Sequence, residues 1–326
     1  MNQENNLLKL TEAIALLLVT LVIFACKKDE PVVNPVEPET PIASISWKAF
    51  PGSIIVSDGT ALTLLDSEAR MADTLLKTDF KKELVGRAGL SLSPDKTLLF
   101  FSHYNQNTFR GSIARYDLAL KTWKFEPLSN GQSEILPNTS MNGSLYFLQD
   151  SFVVQGARNI YRNQERIHSL NPQTAWPARF TLTADERYLL IPNRIDSEVG
   201  IFRLDLESGT FLPFITPPNN SLAIFTSPVY APDGNKIALI EATTDALNLT
   251  LADSDGSNPT VLLSLPGYFL DNNANLDWSP DGQYLVAAVH SSENVPLNDL
   301  IVVKISTGEQ RLVCKNCVSY AVWKSV

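Results

Sequence analysis

Short apolar runs alternate with turn residues along most of the chain, and one such pattern recurs at a regular interval. Residues 276–288 read LDWSPDGQYLVAA, which is an apolar run, a tight turn and a second apolar run. Residues 90–102, 180–192 and 228–240 repeat this pattern. The aspartate of the turn is sixth in each copy, at Asp95, Asp185, Asp233 and Asp281. Asn142 takes the same place about midway between Asp95 and Asp185. The chain therefore contains an internal repeat of about 45 residues.

The second half of each repeat has the pattern of a β-hairpin. Residues 201–215, 249–265 and 300–313 are pairs of apolar runs joined by glycine-containing turns, and 113–128 is similar without the glycine. Four short strands in about 45 residues are typical of a β-propeller blade. The sequence therefore predicts an all-β domain over residues 44–326, a six-bladed β-propeller of four-stranded blades.

The two ends of this domain both carry weak copies of the first strand, at 44–48 and at 319–324. Seven copies exist for six blades, and a propeller that leaves its ends unpaired exposes strand edges that aggregate. We expect residues 319–324 to close the ring as the inner strand of blade 1, beside residues 53–57. Residues 44–48 would then pair elsewhere.

The repeated aspartates are predicted to be structural. A proline before the aspartate presets φ for the turn, the carboxylate accepts hydrogen bonds from nearby backbone amides, and a glycine after it tolerates positive φ. The stretch DSDGSN (253–258) resembles the start of a calcium loop, but position 264 is serine where an EF-hand needs glutamate. We interpret it as a hairpin turn and expect no metal site.

The N-terminus indicates export and anchoring. Residues 13–25 form an uncharged apolar run that is too short to span a bilayer but suits a signal peptide. The run ends in IFAC, which resembles the lipobox of bacterial lipoproteins. That resemblance implies a signal peptide at 1–25 and a lipidated Cys26, followed by a proline-rich tether to residue 43. The cluster KKDE after Cys26 is similar to the surface-export signal of Bacteroidota lipoproteins, which implies an outer-membrane lipoprotein exposed at the cell surface.

The repeats also resemble a known family. SPDGQYLVAAV (279–289) and LADSDGSNPTVLLSL (251–265) are similar to the TolB-type propeller repeat, a Pro-Asp relative of the WD repeat. The resemblance implies six blades and a place in periplasmic or surface assemblies, or beside a peptidase domain. No Gly-x-Ser-x-Gly motif occurs in the sequence, so we expect no peptidase activity.

Charge and cysteine content narrow the possible partners. The net charge is −9 without a block of like charges, which disfavours nucleic acid as a partner, because phosphates require a basic surface.

Cys314 and Cys317 lie between two strand-like runs rather than at the start of a helix, so they do not fit a thioredoxin-type site. No histidine lies nearby to complete a zinc site. We expect a small structural disulfide and no cofactor.

The candidates for binding lie in the connections between blades and between second and third strands, which share one face of a propeller. Variable loops on a rigid scaffold carry binding sites, and aromatic residues and arginine are favoured anchors. His103 and His290 are expected in loops of that face. The candidate binding residues are His103, Tyr104, Phe109, Arg110, Trp176, Arg179, Arg194, Tyr268, Phe269 and His290. The aromatic residues could instead fold back as plugs over the ring.

These observations favour a monomeric, non-catalytic lipoprotein that is attached to the membrane by its lipid anchor. Its propeller would be a scaffold for a protein, a peptide or a glycan. The alternative is an envelope enzyme, a glycan-active hydrolase or lyase, with a carboxylate site in the central channel. Two carboxylates about 5–9 Å apart there would indicate glycoside hydrolysis.

Overall fold

A computed structural model describes residues 48–108, 110–127, 133–150, 158–170, 179–195, 198–217, 223–271, 274–291 and 296–324. The signal peptide, the lipidated Cys26 and the tether predicted for residues 1–43 lie outside these residues. The described residues form 24 β-strands and no helix, so none of them belongs to a helix that could cross a membrane.

The strands form six four-stranded antiparallel sheets, which are the blades of the propeller. Blade 1 contains β1 (Ser53–Ser57), β2 (Ala61–Leu65) and β3 (Met71–Lys77), and it is completed by β24 (Tyr320–Lys324). Blade 2 contains β4 (Glu83–Leu92), β5 (Leu98–Asn105), β6 (Arg110–Asp117) and β7 (Thr122–Phe125). Blade 3 contains β8 (Ser133–Thr139), β9 (Leu145–Asp150), β10 (Arg158–Arg162) and β11 (Glu165–Leu170).

The other three blades have the same order of strands from the axis outwards. Blade 4 contains β12 (Thr181–Leu182), β13 (Tyr188–Ile195), β14 (Glu198–Asp205) and β15 (Phe211–Ile215). Blade 5 contains β16 (Ile224–Tyr230), β17 (Lys236–Ala242), β18 (Ala246–Asp253) and β19 (Thr260–Pro266). Blade 6 contains β20 (Asn275–Trp278), β21 (Tyr284–Val289), β22 (Asn298–Lys304) and β23 (Gln310–Val318). The prediction of an all-β, six-bladed propeller is confirmed.

The ring closes through the C-terminal strand, as the sequence predicted. Strand β24 pairs antiparallel with β1, and Val322 lies opposite Ile55. The side chain of Asn275 joins β24 to blade 6, since it donates to the carbonyl of Ala321 (2.7 Å) and accepts from its amide (3.2 Å). Of the other candidate strand, 44–48, only residue 48 is described.

The repeated turn uses the side chains as expected. In blade 6, Asp281 accepts hydrogen bonds from the Ser279 hydroxyl (2.5 Å) and the Gln283 amide (3.0 Å). The residue after the aspartate, or after Asn142 in blade 3, has positive φ in all five copies. These residues are Lys96 (59°), Gly143 (84°), Glu186 (56°), Gly234 (74°) and Gly282 (67°). Two blades therefore place a long side chain in a conformation that favours glycine.

The apolar core lies between the blades rather than at the axis. Six clusters of buried apolar side chains each fill the interface of two neighbouring blades. The interface of blades 5 and 6 is the largest, with fifteen buried residues, and that of blades 2 and 3 is the smallest, with four. Because every blade buries both faces against its neighbours, the ring is a rigid support for its loops.

The two sequence motifs outside the repeated turn form a hairpin turn and a disulfide. In the 253–258 turn, Asp253 accepts hydrogen bonds from Lys236 (2.6 Å) and Asn258 (2.7 Å). Cys314 and Cys317 form a disulfide with a Cα–Cα distance of 6.0 Å, at an irregularity in the pairing of β22 with β23. This disulfide lies just before the closing strand.

Candidate functional site

The connections between blades and between second and third strands lie at one end of the ring, which we call the variable-loop face. At this face, a cavity of about 230 Å³ opens at the end of blade 5, beside the segment that connects blade 5 to blade 6. One wall is the 243–245 turn between β17 and β18, and the other is the 267–270 segment between β19 and β20. Two residues predicted from the sequence, Tyr268 and Phe269, line this cavity.

Hydrogen bonds hold the aromatic wall in place. The Phe269 amide donates to the carbonyl of His290 (2.8 Å), and the Tyr268 hydroxyl donates to the Asp299 carboxylate (2.9 Å). Burial and this hydrogen bond raise the pKa of Tyr268 well above its usual range. The Phe269 side chain is 46% exposed despite these constraints. An exposed phenyl ring on a fixed backbone loses little entropy when a ligand packs on it.

The opposite wall is polar. Thr243, Thr244 and Asp245 are exposed, and the turn is held by a hydrogen bond from the Thr243 amide to the Ala246 carbonyl (2.9 Å). Within the described residues, the Asp245 carboxylate forms neither an ion pair nor a hydrogen bond. The cavity therefore combines an aromatic surface with hydroxyls and a carboxylate that can accept hydrogen bonds from a ligand.

Histidine 290 belongs to this neighbourhood, but His103 does not. His290 follows β21, is half-buried and lies 3.2 Å from Asn298 through its Nδ1 atom. His103 lies inside β5 and is only 3% exposed, so the expectation that it occupies a loop is wrong. Its ring stacks on Trp123, and its Nε2 atom is 3.4 Å from the Glu83 carboxylate. Strand β5 extends to Asn105, three residues beyond the repeated pattern at 90–102, and the aromatic side chains of β7 pack on His103 near its end.

The remaining candidates are scattered. Tyr104 is half-buried in β5, Arg110 is exposed at the start of β6, and Arg194 is exposed near the end of β13. Phe109 and Trp176 lie outside the described residues. The structure therefore brings together Tyr268, Phe269 and His290, whereas Tyr104 and Arg110 lie on blade 2 and Arg194 on blade 4.

Arg179 has a different position from the exposed loop predicted for it. Its guanidinium donates to the Leu276 carbonyl and to the Asp277 carboxylate (3.3 Å), and both side chains are largely buried. Asp277 also accepts the Trp323 amide (2.7 Å). Arg179 precedes the inner strand of blade 4, while Asp277 and Trp323 lie on the inner strands of blades 6 and 1. The side chain thus links blades that are not neighbours, which is a structural role beside the axis.

The hydroxyl of Tyr320, on the closing strand, interacts electrostatically with this ion pair. Burial raises the pKa of Tyr320 to about 12, with a smaller opposing effect of Arg179 and a reinforcing effect of Asp277. The sequence contained one signal for Asp277, because the other internal copies of the repeat have an uncharged residue at its place: Ser91, Asn138, Thr181 and Val229. A lone charge in an inner strand indicates a specific partner. The 243–245 turn carried no comparable signal.

A second buried carboxyl lies in blade 3, which shares the smallest apolar cluster with blade 2. Glu134, on β8, is 3% exposed, and burial raises its pKa to about 7. Among the described residues, neither its Oε1 atom nor Nε2 of Gln149, the residue opposite it on β9, has a hydrogen-bond partner. Nowhere in the described ranges do three or more His, Cys, Asp or Glu side chains group as they would to hold a metal ion.

Comparisons with known proteins give a fold but not a family. No family model matches the chain, and no curated protein matches it. Among solved structures, TolB from Acinetobacter baumannii superimposes with a TM-score of 0.63 and 18% identity, over 84% of this chain and 66% of that one. The chain thus spans slightly under two thirds of that TolB. It has a TolB-like six-bladed β-propeller fold.

Two further solved structures, of other kinds of protein, share this fold. A chain of a nidogen/laminin complex superimposes with a TM-score of 0.61 and 10% identity, over 83% of this chain and 97% of that one. An oligogalacturonate lyase in complex with manganese gives a TM-score of 0.52 and 16% identity, over 78% of this chain and 70% of that one. At such low sequence identities the similarity concerns the fold alone. The same fold occurs both in binding proteins and in enzymes.

Proposed function

We propose that this protein is a non-catalytic lipoprotein of the bacterial cell envelope whose propeller binds a protein, a peptide or a glycan on its variable-loop face. The observation that carries the proposal is the cavity at the end of blade 5, beside its connection to blade 6. Its lining includes the exposed ring of Phe269 and the carboxylate of Asp245, which has no ion-pair or hydrogen-bond partner among the described residues.

The chemistry of the two walls defines what the ligand must offer. It needs an apolar surface that can pack on the phenyl ring, and N–H or O–H groups that can donate to the threonine hydroxyls and the carboxylate. Fully burying a phenylalanine side chain contributes about 1.5–3 kcal/mol. Roughly half of that remains available at Phe269, since the side chain is 46% exposed. One pyranose ring or one peptide side chain has a size that suits the cavity of about 230 Å³.

The location of the protein rests on the N-terminal sequence. The apolar run 13–25 followed by IFAC supports export and lipidation of Cys26, and the tether and its KKDE cluster support display on the outer-membrane surface. A monomeric propeller on a proline-rich tether would present its variable-loop face to ligands in the medium or on neighbouring surface proteins.

The experiment compares three variants of the mature protein on a glycan microarray and in capture of solubilised membrane proteins. Phe269→Ala is expected to weaken ligand binding about fivefold, which corresponds to the loss of about 1 kcal/mol. Asp245→Asn tests the polar wall. Leu212→Ala is the matched control, because Leu212 is an exposed apolar residue (56%) on the outer strand of blade 4. Ligands retained equally by all three variants would place the binding site elsewhere.

The catalytic alternative has one observation in its favour, which is the fold shared with the oligogalacturonate lyase. The channel carboxylate Asp277 already accepts hydrogen bonds on both of its oxygens. Incubation of the protein with polygalacturonate and detection of unsaturated products tests this alternative directly. Turnover that is abolished by Asp277→Asn, at an unchanged melting temperature, would replace the binding scaffold by an enzyme.

A further inference from the structure

The carboxylate of Asp299 lies inside the protein, and among the described residues no cation pairs with it. Asp299 is on β22 and is 1% exposed. Two hydrogen bonds hold its carboxylate: the Asn316 amide donates to Oδ1 (2.7 Å), and the Tyr268 hydroxyl donates to Oδ2 (2.9 Å). A buried charge is costly unless its hydrogen bonds are made, so this position depends on both donors.

The two donors belong to different segments of the chain. Tyr268 lines the cavity at the end of blade 5, and the amide of the next residue, Phe269, is held by the His290 carbonyl (2.8 Å). Asn316 lies between the two cysteines of the disulfide. Asp299 thus joins the aromatic wall of the cavity to the turn that the disulfide closes.

The disulfide closes a bulge in β23 directly opposite Asp299. Three residues of β23, 315–317, stand opposite this single residue of β22. Asn316, in the middle of the bulge, has a φ of 47°, which is in the left-handed region that is costly for most residues with a side chain. The covalent bond between Cys314 and Cys317 therefore holds a turn whose backbone amide donates to the buried carboxylate.

Reduction of this disulfide is expected to act locally. Both cysteines are half-buried, and the two residues between them are exposed. A molecule with two thiols can reduce it: the S–S bond breaks, each cysteine sulfur takes one proton, and the dithiol supplies two electrons and becomes a disulfide. Because the disulfide encloses so few residues, its loss removes little stability from the propeller as a whole. The bulge loses its covalent closure, which allows Asn316 to leave its left-handed conformation.

We propose that Asp299 transmits the redox state of the disulfide to the aromatic wall, so that a dithiol reductant weakens ligand binding at the cavity. When Asn316 withdraws its amide, the carboxylate keeps only the Tyr268 hydroxyl, and a buried charge that has lost one of its two hydrogen bonds turns towards water. The Tyr268 side chain then loses its partner, and the 267–270 segment becomes more mobile. A mobile wall loses more entropy when a ligand orders it, which lowers the affinity. The effect on binding rests on the proposed function, whereas the coupling itself needs no ligand.

Hydrogen exchange of backbone amides, followed by mass spectrometry, measures this coupling in the ligand-free mature protein. Dithiothreitol should accelerate exchange at the 267–270 segment about tenfold or more, because the Phe269 amide loses protection when the wall opens. Exchange in blades 2 to 4 should not change. Acceleration that is confined to β23, or equal in all blades, would overturn the proposal.

Three variants assign the path. Tyr268→Phe removes only the hydroxyl that contacts Asp299, so its 267–270 segment should exchange fast in both redox states. Tyr230→Phe is the matched control, because its hydroxyl bonds to the Ser254 carbonyl (3.4 Å) away from this path, and it should respond to dithiothreitol as the unmodified protein does. Protein with serine in place of both cysteines should behave as reduced protein and be insensitive to dithiothreitol. A redox effect of undiminished size in Tyr268→Phe would overturn the role of Asp299.

A ligand found by the comparison with Phe269→Ala separates this proposal from the proposed function. Its affinity for the oxidised protein should be at least about threefold higher than for the reduced protein. A ligand that depends on Phe269 but binds both redox states equally would retain the binding function and overturn its redox regulation. The converse result, redox-dependent exchange without a ligand that depends on Phe269, would retain the coupling and reject the binding function.

Discussion

The closing strand is expected to dominate the stability of the propeller. Tyr320, Ala321, Val322 and Trp323 are each no more than 3% exposed. The Trp323 indole donates to the Pro51 carbonyl (2.6 Å) and packs edge-on against Phe50 at a centroid distance of 5.2 Å. Each of these contacts joins the first and last parts of the domain.

The perturbation is Trp323→Ala. Replacing a buried tryptophan by alanine costs about 3–5 kcal/mol, since the transfer free energy is lost and a cavity remains. An unfolding entropy of about 2.1 cal/mol/K per residue, over some 280 residues, makes 1 kcal/mol equivalent to roughly 1.7 °C. The melting temperature should therefore fall by about 5–9 °C in thermal unfolding followed by circular dichroism or calorimetry. Phe269→Ala is the control and should change the melting temperature by about 1 °C, because its side chain is half exposed.

Truncation after Val318 is a stronger form of the same test. Loss of the buried Tyr, Val and Trp side chains removes roughly 5–9 kcal/mol, which is comparable to the total stability of most domains. The truncation also leaves β1 with an open edge at the axis. The truncated protein should be unfolded or aggregated at 37 °C. A truncated protein that melts within 2 °C of the full chain would refute the role of β24 as the closing strand.

Four further predictions concern single sites. The folded protein holds a proton on Glu134 that the unfolded chain releases between pH 4.5 and about 7, so stability should fall as pH rises through this window. Glu134→Gln should remove this dependence and gain about 1–3 kcal/mol at pH 8 in urea unfolding, whereas equal slopes in both proteins would exclude the effect. Lys96→Gly should raise the free energy of unfolding by about 0.5–1 kcal/mol, since it relieves a left-handed conformation, and a loss of stability would contradict this. Replacing Cys314 and Cys317 by serine should cost well below the roughly 3 kcal/mol of a 15-residue loop, because the disulfide encloses very few residues. Cys26→Ser should move the protein from the membrane fraction to the soluble fraction, and an unchanged fractionation would exclude the lipid anchor.

The repeat, the number of blades and the ring closure could all be predicted from the sequence, because each depends on local information. The turn is set by contacts two residues apart, as between Asp281 and Gln283, and every blade repeats it. Once the period is known, the topology of a propeller leaves few choices. Strand β24 follows blade 6 directly and has its neighbour at the axis in β1.

The candidate site depended on contacts between distant parts of the chain, and only the tertiary structure decided these. The cavity joins the 243–245 turn to the 267–270 segment, and the first of these has no distinctive sequence. His103 is buried because the aromatic side chains of β7 cover the end of β5. Arg179 meets Asp277 across 98 residues and across the ring. A repeat specifies what its copies share, whereas a binding site arises where the copies differ and face one another.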